Sequence, residues 1–168
     1  MCGAIAPHTF FMWVVILKSN IMTIYELISE IQTLALQHKQ LVAAQCGNTF
    51  DVATSKSSET YPALWIELPI LTRYVDRRKK THSFALNFLS LCKSDDLEDA
   101  INKTSDMEVV ADEFLQALDD RFKNIGVDDI TALTLRGFSD DDLVGVRVEI
   151  TFVMGRECDY KEDFDVQA

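Results

Sequence analysis

Apolar positions recur at three- and four-residue steps in two segments of the chain, and each segment opens with a capping pattern. Thr23 and Glu26 have the spacing of a capping box, and an apolar stripe covers residues 24–35. Residues 105–108 repeat that spacing, and a second stripe covers residues 107–122. Because such a stripe buries one face of a helix, the pattern predicts two amphipathic helices that pack on a sheet.

Turn-forming residues set the expected limits of these helices. The first stripe can extend to residues 41–42, and the Cys-Gly-Asn-Thr sequence at 46–49 marks the exit from the helix. A polar loop is expected at residues 54–60. Residues 95–102 predict a separate, short acidic turn of helix, so the second amphipathic helix is expected to begin at Ser105.

Four other segments are predicted strands: residues 61–69, 80–92, 130–138 and 143–153. The first, second and fourth have period-two alternation, and the fourth has it most clearly. The second of them is apolar on both faces, which predicts a strand in the centre of the sheet or one covered by another subunit. The element order is helix, hairpin, helix, hairpin. It predicts an α+β fold in which two β-hairpins make a mostly antiparallel sheet and both helices pack on one face.

The turns of the two predicted hairpins carry opposite charge. The basic turn spans residues 73–80, and its candidate contact residues are Arg73, Tyr74, Arg77, Arg78, Lys79 and Lys80. The acidic turn spans residues 139–142, and its candidate contact residues are Asp140, Asp141 and Asp142. In a ring of identical subunits, the two turns can form the complementary sides of a head-to-tail contact. The alternatives for the basic turn are a solvated loop that discourages edge-to-edge aggregation and a surface that contacts duplex DNA.

Length and charge narrow the class of protein. With 168 residues, the chain fits one domain that can bury a core without disulfides or metal. Its 27 acidic and 16 basic residues give a formal net charge of −11, which disfavours nonspecific binding to nucleic acid except at a local basic patch. The four cysteines and three histidines are dispersed, a pattern that indicates reduced thiols in a cytosolic setting and no metal site.

The N-terminal segment has a different character from the rest of the chain. Residues 10–17 form an apolar run, but no basic segment precedes it, no small-residue cleavage site follows it, and it is too short to span a bilayer. The favoured interpretation is an extension upstream of a functional start at Met22, and the alternative is an arm that packs on a neighbouring subunit. The predicted organisation is an extension at residues 1–21, one domain at residues 22–159 and an acidic tail at residues 160–168.

No set of side chains predicts catalysis or a cofactor. Asp140 and Asp142 have the spacing of the first two ligands of an EF-hand loop, but Thr151 stands where the bidentate glutamate belongs. Cys92 and His82 lie ten residues apart on one predicted strand, which separates them by about 33 Å and excludes a nucleophile and base pair. We therefore expect no catalytic, cofactor-binding or metal-binding residues.

The order of these elements, together with residues 61–68, 106–122 and 143–152, resembles the tail-terminator and tail-completion proteins of tailed bacteriophages. The resemblance implies a structural virion protein of the neck, assembled in the host cytoplasm, that forms a hexameric ring, caps the tail tube and contacts the head connector. It implies no catalysis, cofactor or membrane partner. The alternative is another neck component, such as a head-to-tail stopper or connector adaptor whose basic hairpin lines the DNA channel.

Overall fold

The structure, a computed structural model, describes residues 22–48, 60–93, 96–123, 126–136 and 142–155. Two helices and six strands lie within these ranges. In chain order they are α1 (Ile24–Gln37), β1 (Ala43–Gly47), β2 (Ala63–Glu67), β3 (Leu71–Tyr74), β4 (Lys79–Leu91), α2 (Leu97–Arg121), β5 (Gly126–Arg136) and β6 (Leu143–Gly155).

The strands form one mixed sheet in the order β1-β2-β4-β6-β5, and β3 pairs with β4 off this path. β1 and β2 are parallel, whereas the other described pairings are antiparallel. The longest ladder joins β4 and β6, from the pair Lys79 and Gly155 to the pair Leu91 and Leu143. The fold is therefore α+β. The description as two hairpins is incomplete because it omits β1 with its parallel pairing and β3, which forms the hairpin with β4 across the basic turn.

Both helices pack on the same side of the sheet. Alternate residues of β4 and β6 face the helices and form one core cluster with the buried residues of α1 and α2. Phe88 meets Phe114 of α2 edge-on, with ring centroids 5.5 Å apart, and Phe84 stacks on Phe152 at the same separation. The aromatic contacts thus join the two central strands to the helical layer.

α1 begins where the sequence predicts and ends earlier than expected. The Thr23 hydroxyl accepts a hydrogen bond from the Glu26 backbone N–H at 3.2 Å, and the Glu26 carboxylate accepts one from the Thr23 backbone N–H at 2.8 Å. These two bonds confirm the capping box. The helix ends at Gln37 and does not reach the predicted exit at residues 46–49.

β1 lies where the end of the first helix was expected. The Val42 N–H donates to the Pro62 carbonyl at 2.9 Å, and the five residues after Val42 pair in parallel with β2. Leu41 is buried in the core without being helical. The prediction of helix at residues 41–42 is wrong. An apolar residue just before a strand can be buried in the core in the same way as one that continues the apolar stripe of a helix.

α2 is one helix of 25 residues, not a short turn followed by a second helix. Its N-cap is Asp96, whose carboxylate accepts a hydrogen bond from the Asp99 N–H at 3.0 Å. The Thr104 hydroxyl donates to the Ala100 carbonyl at 2.8 Å, so the helix continues through Ser105. The predicted helix start at Ser105 is wrong. The buried face of α2 already includes Ala100, which lies five residues before Ser105.

β4 lies in the centre of the sheet, as its two apolar faces predict. On the side away from the helices, Trp65, Leu89 and Leu143 form a second, smaller buried cluster. The Trp65 indole N–H donates to the Gly47 carbonyl at 3.2 Å and ties β2 to the end of β1. Side chains therefore cover the central strand on both faces, although both helices pack on only one of them.

β1 and β5 are the outer strands of the sheet. β5 begins at Gly126, four residues before the predicted start at Ile130, and its register against β6 shifts between Asp128 and Thr131. Nearly all of its residues are exposed, whereas β6 is mostly buried. β5 is thus an edge strand with little cover from the described part of the chain.

Three predicted segments lie wholly or almost wholly outside the described residues. They are the extension at residues 1–21, the polar loop at residues 54–60 except for its last residue, and the acidic tail at residues 160–168. None of the described helices is long and apolar enough to cross a membrane.

Candidate interaction surfaces at the two ends of the sheet

A tight turn between β3 and β4 presents the cationic residues that the sequence predicts as a contact surface. The Asp76 carboxylate accepts hydrogen bonds from the backbone N–H groups of Arg78 at 2.6 Å and Lys79 at 2.8 Å. The Val75 N–H donates to the Lys79 carbonyl at 3.1 Å. An aspartate at this position therefore fixes the turn while the side chains of Arg77 and Arg78 project into solvent.

The exposed residues of this turn combine positive charge with apolar surface. Tyr74 is 65% exposed and Val75 is 56% exposed. We use the name basic tip for the exposed residues Arg73, Tyr74, Val75, Arg77, Arg78 and Lys79. This combination of apolar and cationic groups suits a contact with an acidic protein surface, and the solvated loop remains the alternative.

Lys80 does not belong to the basic tip, although the sequence groups it there. Its side chain is half-buried, and its ammonium group donates to the Met22 carbonyl at 3.5 Å. Met22 immediately precedes the N-cap of α1. The structure therefore gives Lys80 an intramolecular contact between the root of the hairpin and the start of α1.

His82 is buried at the root of the same hairpin. Its Nδ1 lies 2.8 Å from the Thr72 hydroxyl on β3, and its Nε2 has no hydrogen-bond partner among the described residues. Burial lowers the pKa of His82, and the positive charge of Lys80 lowers it further. Both effects favour the neutral form of the imidazole, and its bond to Thr72 helps to fix β3 against β4.

The acidic turn lies mostly outside the described residues, which include Asp142 but not Asp140 or Asp141. Asp142 is exposed, with a φ of 45°, and its carbonyl accepts hydrogen bonds from the Cys92 N–H at 3.1 Å and the Cys92 thiol at 2.8 Å. Burial raises the pKa of Cys92, and the carboxylates of Asp142 and Asp99 raise it further. Cys92 is therefore a protonated thiol that joins the end of β4 to the start of β6.

The basic tip and Asp142 lie at opposite ends of the β4–β6 ladder. Lys79 pairs with Gly155 at the basic end, and Leu91 pairs with Leu143 at the other end. The twelve residue steps between Lys79 and Leu91 correspond to about 40 Å. The two charged ends cannot touch within one copy of the chain, so any contact between them joins different copies.

A groove between α2 and β5 opens near the Asp142 end of the sheet, and sequence reasoning missed it. We call this cavity of about 300 Å³ the α2–β5 groove; its lining includes Leu97, Ala100, Ile101, Glu108, Leu135 and Arg136. The recurrence of apolar residues at positions 97 and 101 is the signal that could have revealed it. That signal was lost because residues 95–102 were assigned to a separate turn.

α2 is strongly acidic, with eight acidic and two basic residues. Two of its charges pair with α1: Arg121 lies 2.7 Å from the Glu30 carboxylate, and Glu113 lies 2.9 Å from His38. Other carboxylates, such as those of Asp106 and Glu108, are exposed. The α2–β5 groove therefore lies in acidic surroundings, opposite in sign to the basic tip.

The helix-free side of the sheet is polar at its centre. Arg147 on β6 donates to the Glu67 carboxylate and also to Glu149, whose Oε1 lies 3.3 Å from the Arg147 Nε. The Asn87 amide is fully buried beneath this pair and donates to Glu67 at 3.2 Å. These groups bond to one another, although the buried Asn87 Oδ1 accepts no hydrogen bond from the described residues. The centre of this side therefore contrasts with the apolar and charged surfaces at the two ends.

The described residues contain no cluster of three or more His, Cys, Asp or Glu side chains that could hold a metal ion. Cys92 and His82 lie towards opposite ends of β4 and do not meet, as their spacing in the sequence predicts.

No protein-family model matches the chain, and no curated protein matches it.

Proposed function

We propose that this chain is a structural virion protein of a tailed bacteriophage, a tail terminator that assembles into a ring capping the tail tube. The structural observation that carries this proposal is the placement of the basic tip and Asp142 at opposite ends of one continuous ladder. Asp140 and Asp141 directly precede Asp142 in the sequence. One copy thus carries two different, electrically complementary ends.

Unlike ends allow two closed arrangements. One is an antiparallel two-fold dimer, in which the basic tip of each copy meets the acidic end of the other. A head-to-tail contact joins unlike ends and forms a closed ring when the rotation between neighbours divides a full turn. Opposite charges also orient the subunits as they approach, in a manner that salt screens.

The resemblance to tail terminators supports the position of this ring in the neck, between the tail tube and the head connector. It also supports a count of six subunits. A ring in this position serves by shape and adhesion, so the exposed surfaces of the chain carry its function and no catalytic group is required.

Native mass spectrometry of the full chain at low ionic strength tests the assembly directly. We expect a species of six copies that electron microscopy shows as a ring, and we expect it to dissociate as salt rises. Added to growing tail tubes in vitro, the ring should bind one tube end and stop elongation. A chain that stays monomeric at every concentration, or a ring that leaves elongation unchanged, would contradict the proposal.

A second candidate function keeps the ring and directs the basic tip into its lumen. Four exposed cationic residues favour it: Arg73, Arg77, Arg78 and Lys79. In a head-to-tail stopper or connector adaptor, these side chains would contact the phosphates of passing DNA without sequence preference. Fluorescence anisotropy with a short duplex separates the two candidates. Salt-sensitive binding by an intact ring supports the lumen, and absence of binding at low salt eliminates it.

A further inference from the structure

We propose that the α2–β5 groove is the docking site for the basic tip of a second copy of this chain. The inference deepens the ring proposed above and rests on it, because it identifies which surfaces form the contact between neighbours. It also replaces a contact between two turns with one in which a turn enters a groove.

The apolar parts of the two surfaces match. The basic tip presents the exposed side chains of Tyr74 and Val75, and the groove presents Leu97, Ile101 and Leu135. Ile101 is 57% exposed in the single copy, although it belongs to a helix with a well-buried face. A volume of about 300 Å³ is at the lower limit of typical ligand sites, a size that suits one or two inserted side chains.

The charged parts also match. The basic tip carries four cationic side chains around its apolar pair, and the only acidic residue within the turn, Asp76, is engaged with the backbone. Glu108 lines the groove, and Glu98 and Asp106 are exposed on the same helix. Arg136 at the end of the groove has the same sign as the tip.

Acidic neighbours offset the charge of Arg136. Asp96 and Asp142 line the adjoining hollow together with Arg136 and Lys93, and Asp99 adds a third carboxylate near Cys92. The end of the groove therefore remains acidic in balance, and the strongly negative α2 surrounds the rest of it.

The positions of the two surfaces require the contact to join different copies. Leu135 in the groove pairs with Gly145 on β6, ten residues before Gly155 at the level of the basic tip. Ten strand residues span about 33 Å, so the tip of one copy cannot reach its own groove. Each copy therefore donates one tip and accepts one, which is the condition for a ring built from a single kind of contact.

Two complementary variants test this contact. Arg77→Glu with Arg78→Glu disables the tip and leaves the groove intact, whereas Ile101→Asp disables the groove and leaves the tip intact. We expect each variant alone to lose the ring in native mass spectrometry, with the contact Kd raised about tenfold or more. Mixed in equal amounts, the variants should form a complex of one copy of each and nothing larger, because only one productive tip and groove pair remains.

Matched controls have the same chemistry at other sites. Lys39→Glu with Lys123→Glu changes the net charge as much as the tip variant, and Val109→Asp alters an apolar residue of α2 that is 55% exposed and does not line the groove. Both controls should retain the ring. Glu108→Lys provides a second groove variant if Ile101→Asp proves unfolded by circular dichroism.

The outcomes separate this inference from the ring itself. If both groove variants form rings as the unaltered chain does, the groove is not the docking site, although the ring stands. If the two single-surface variants lose the ring but do not pair on mixing, the contact between tip and groove is likewise rejected. If the unaltered chain never assembles, both proposals fail.

Discussion

Gly145 on β6 lies so close to the Phe88 carbonyl on β4 that a Cβ atom at position 145 would overlap the carbonyl oxygen. This close approach occurs in the longest ladder, where Gly145 pairs with Leu89. A backbone carbonyl in a central strand cannot move aside as a flexible side chain can. The glycine is therefore required by the packing of two backbones.

Gly145→Ala should destabilise the fold by about 1–3 kcal/mol or more, because the added methyl forces the two central strands apart. Chemical denaturation monitored by circular dichroism measures the effect. Gly126→Ala is the matched control, since a Cβ there meets the Val153 Cβ at 3.5 Å, an ordinary contact distance. Equal losses of stability in the two variants would contradict this account of Gly145.

Thr23→Ala and Ser105→Ala should have different effects on stability, although both residues begin a capping-box pattern. Thr23 caps α1, and its replacement should cost about 1 kcal/mol because the Glu26 N–H loses its partner. Ser105 lies within α2, where alanine is the better helix former, so its replacement should be neutral or slightly stabilising. Thermal unfolding compares the two variants. If Ser105→Ala lowered the stability as much as Thr23→Ala does, the result would support a helix that starts at Ser105.

The same comparison shows which parts of the fold local patterns can predict. The cap at Thr23, the central position of β4 and the placement of both helices on one face depend on residues close together in the sequence or on strict alternation. The amino-acid sequence alone therefore predicts these three features. The predicted start of α2 is wrong because Ser105 and Glu108 have the spacing of a capping box within a continuous helix. The burial of Ala100 stabilises the helix on the N-terminal side of that pattern.

Nonlocal features were harder to predict. β1 forms because it pairs with β2. The paired residues lie twenty positions apart in the sequence, so no hairpin turn between them indicates the pairing. The α2–β5 groove requires α2 to be continuous and β5 to lie beside it. Of the candidate site, the sequence predicted the exposed cations of the basic tip, but it grouped Lys80 with them because spacing alone cannot show where a side chain packs.

Arg147→Ala should destabilise the sheet more than Arg121→Ala does. Arg147 and Glu67 are both partly buried, and removal of Arg147 leaves a carboxylate against the fully buried Asn87. We expect a cost of about 1–2 kcal/mol, below the value for a fully buried pair because solvent screens part of it. Arg121 is half-exposed where it meets Glu30, so its loss should cost less than about 1 kcal/mol.

Urea denaturation of both arginine variants provides this test. The loss of stability in Arg147→Ala should be smaller when Glu67→Gln is introduced with it, since the charge of the Glu67 carboxylate is then removed as well. Simple additivity of the two substitutions would show that the pair is not coupled.

Stability should fall under mildly acidic conditions because His82 is buried. The pKa of His82 is lowered from its ordinary value of 6.5, first by burial and then by Lys80, so the unfolded chain binds a proton more readily than the folded chain. The contribution of neutral His82 is fully present above pH 6.5 and is lost progressively as the pH falls below that value towards the folded pKa.

Unfolding free energies measured between pH 8 and pH 5 test this dependence. His82→Gln can keep a hydrogen bond to Thr72 but does not titrate, so it should remove part of the decrease in stability over that range. An identical pH dependence in the variant would assign the decrease to other groups.

Substitutions of two adjacent lysines at the root of the hairpin should have different effects, one on assembly and the other on the stability of the fold. Lys79 is exposed in the basic tip, whereas Lys80 donates to the Met22 carbonyl next to the α1 N-cap. Lys79→Glu should weaken ring formation at low salt and leave thermal stability within about 0.5 kcal/mol of the unaltered chain. Lys80→Ala should lower stability by about 0.5–1.5 kcal/mol and leave the ring intact, because it removes an intramolecular hydrogen bond and no tip charge. Native mass spectrometry and thermal denaturation of both variants provide the comparison. If Lys80→Ala causes the ring to dissociate while Lys79→Glu does not, the contact surface lies on the helix side of the hairpin and not at its tip.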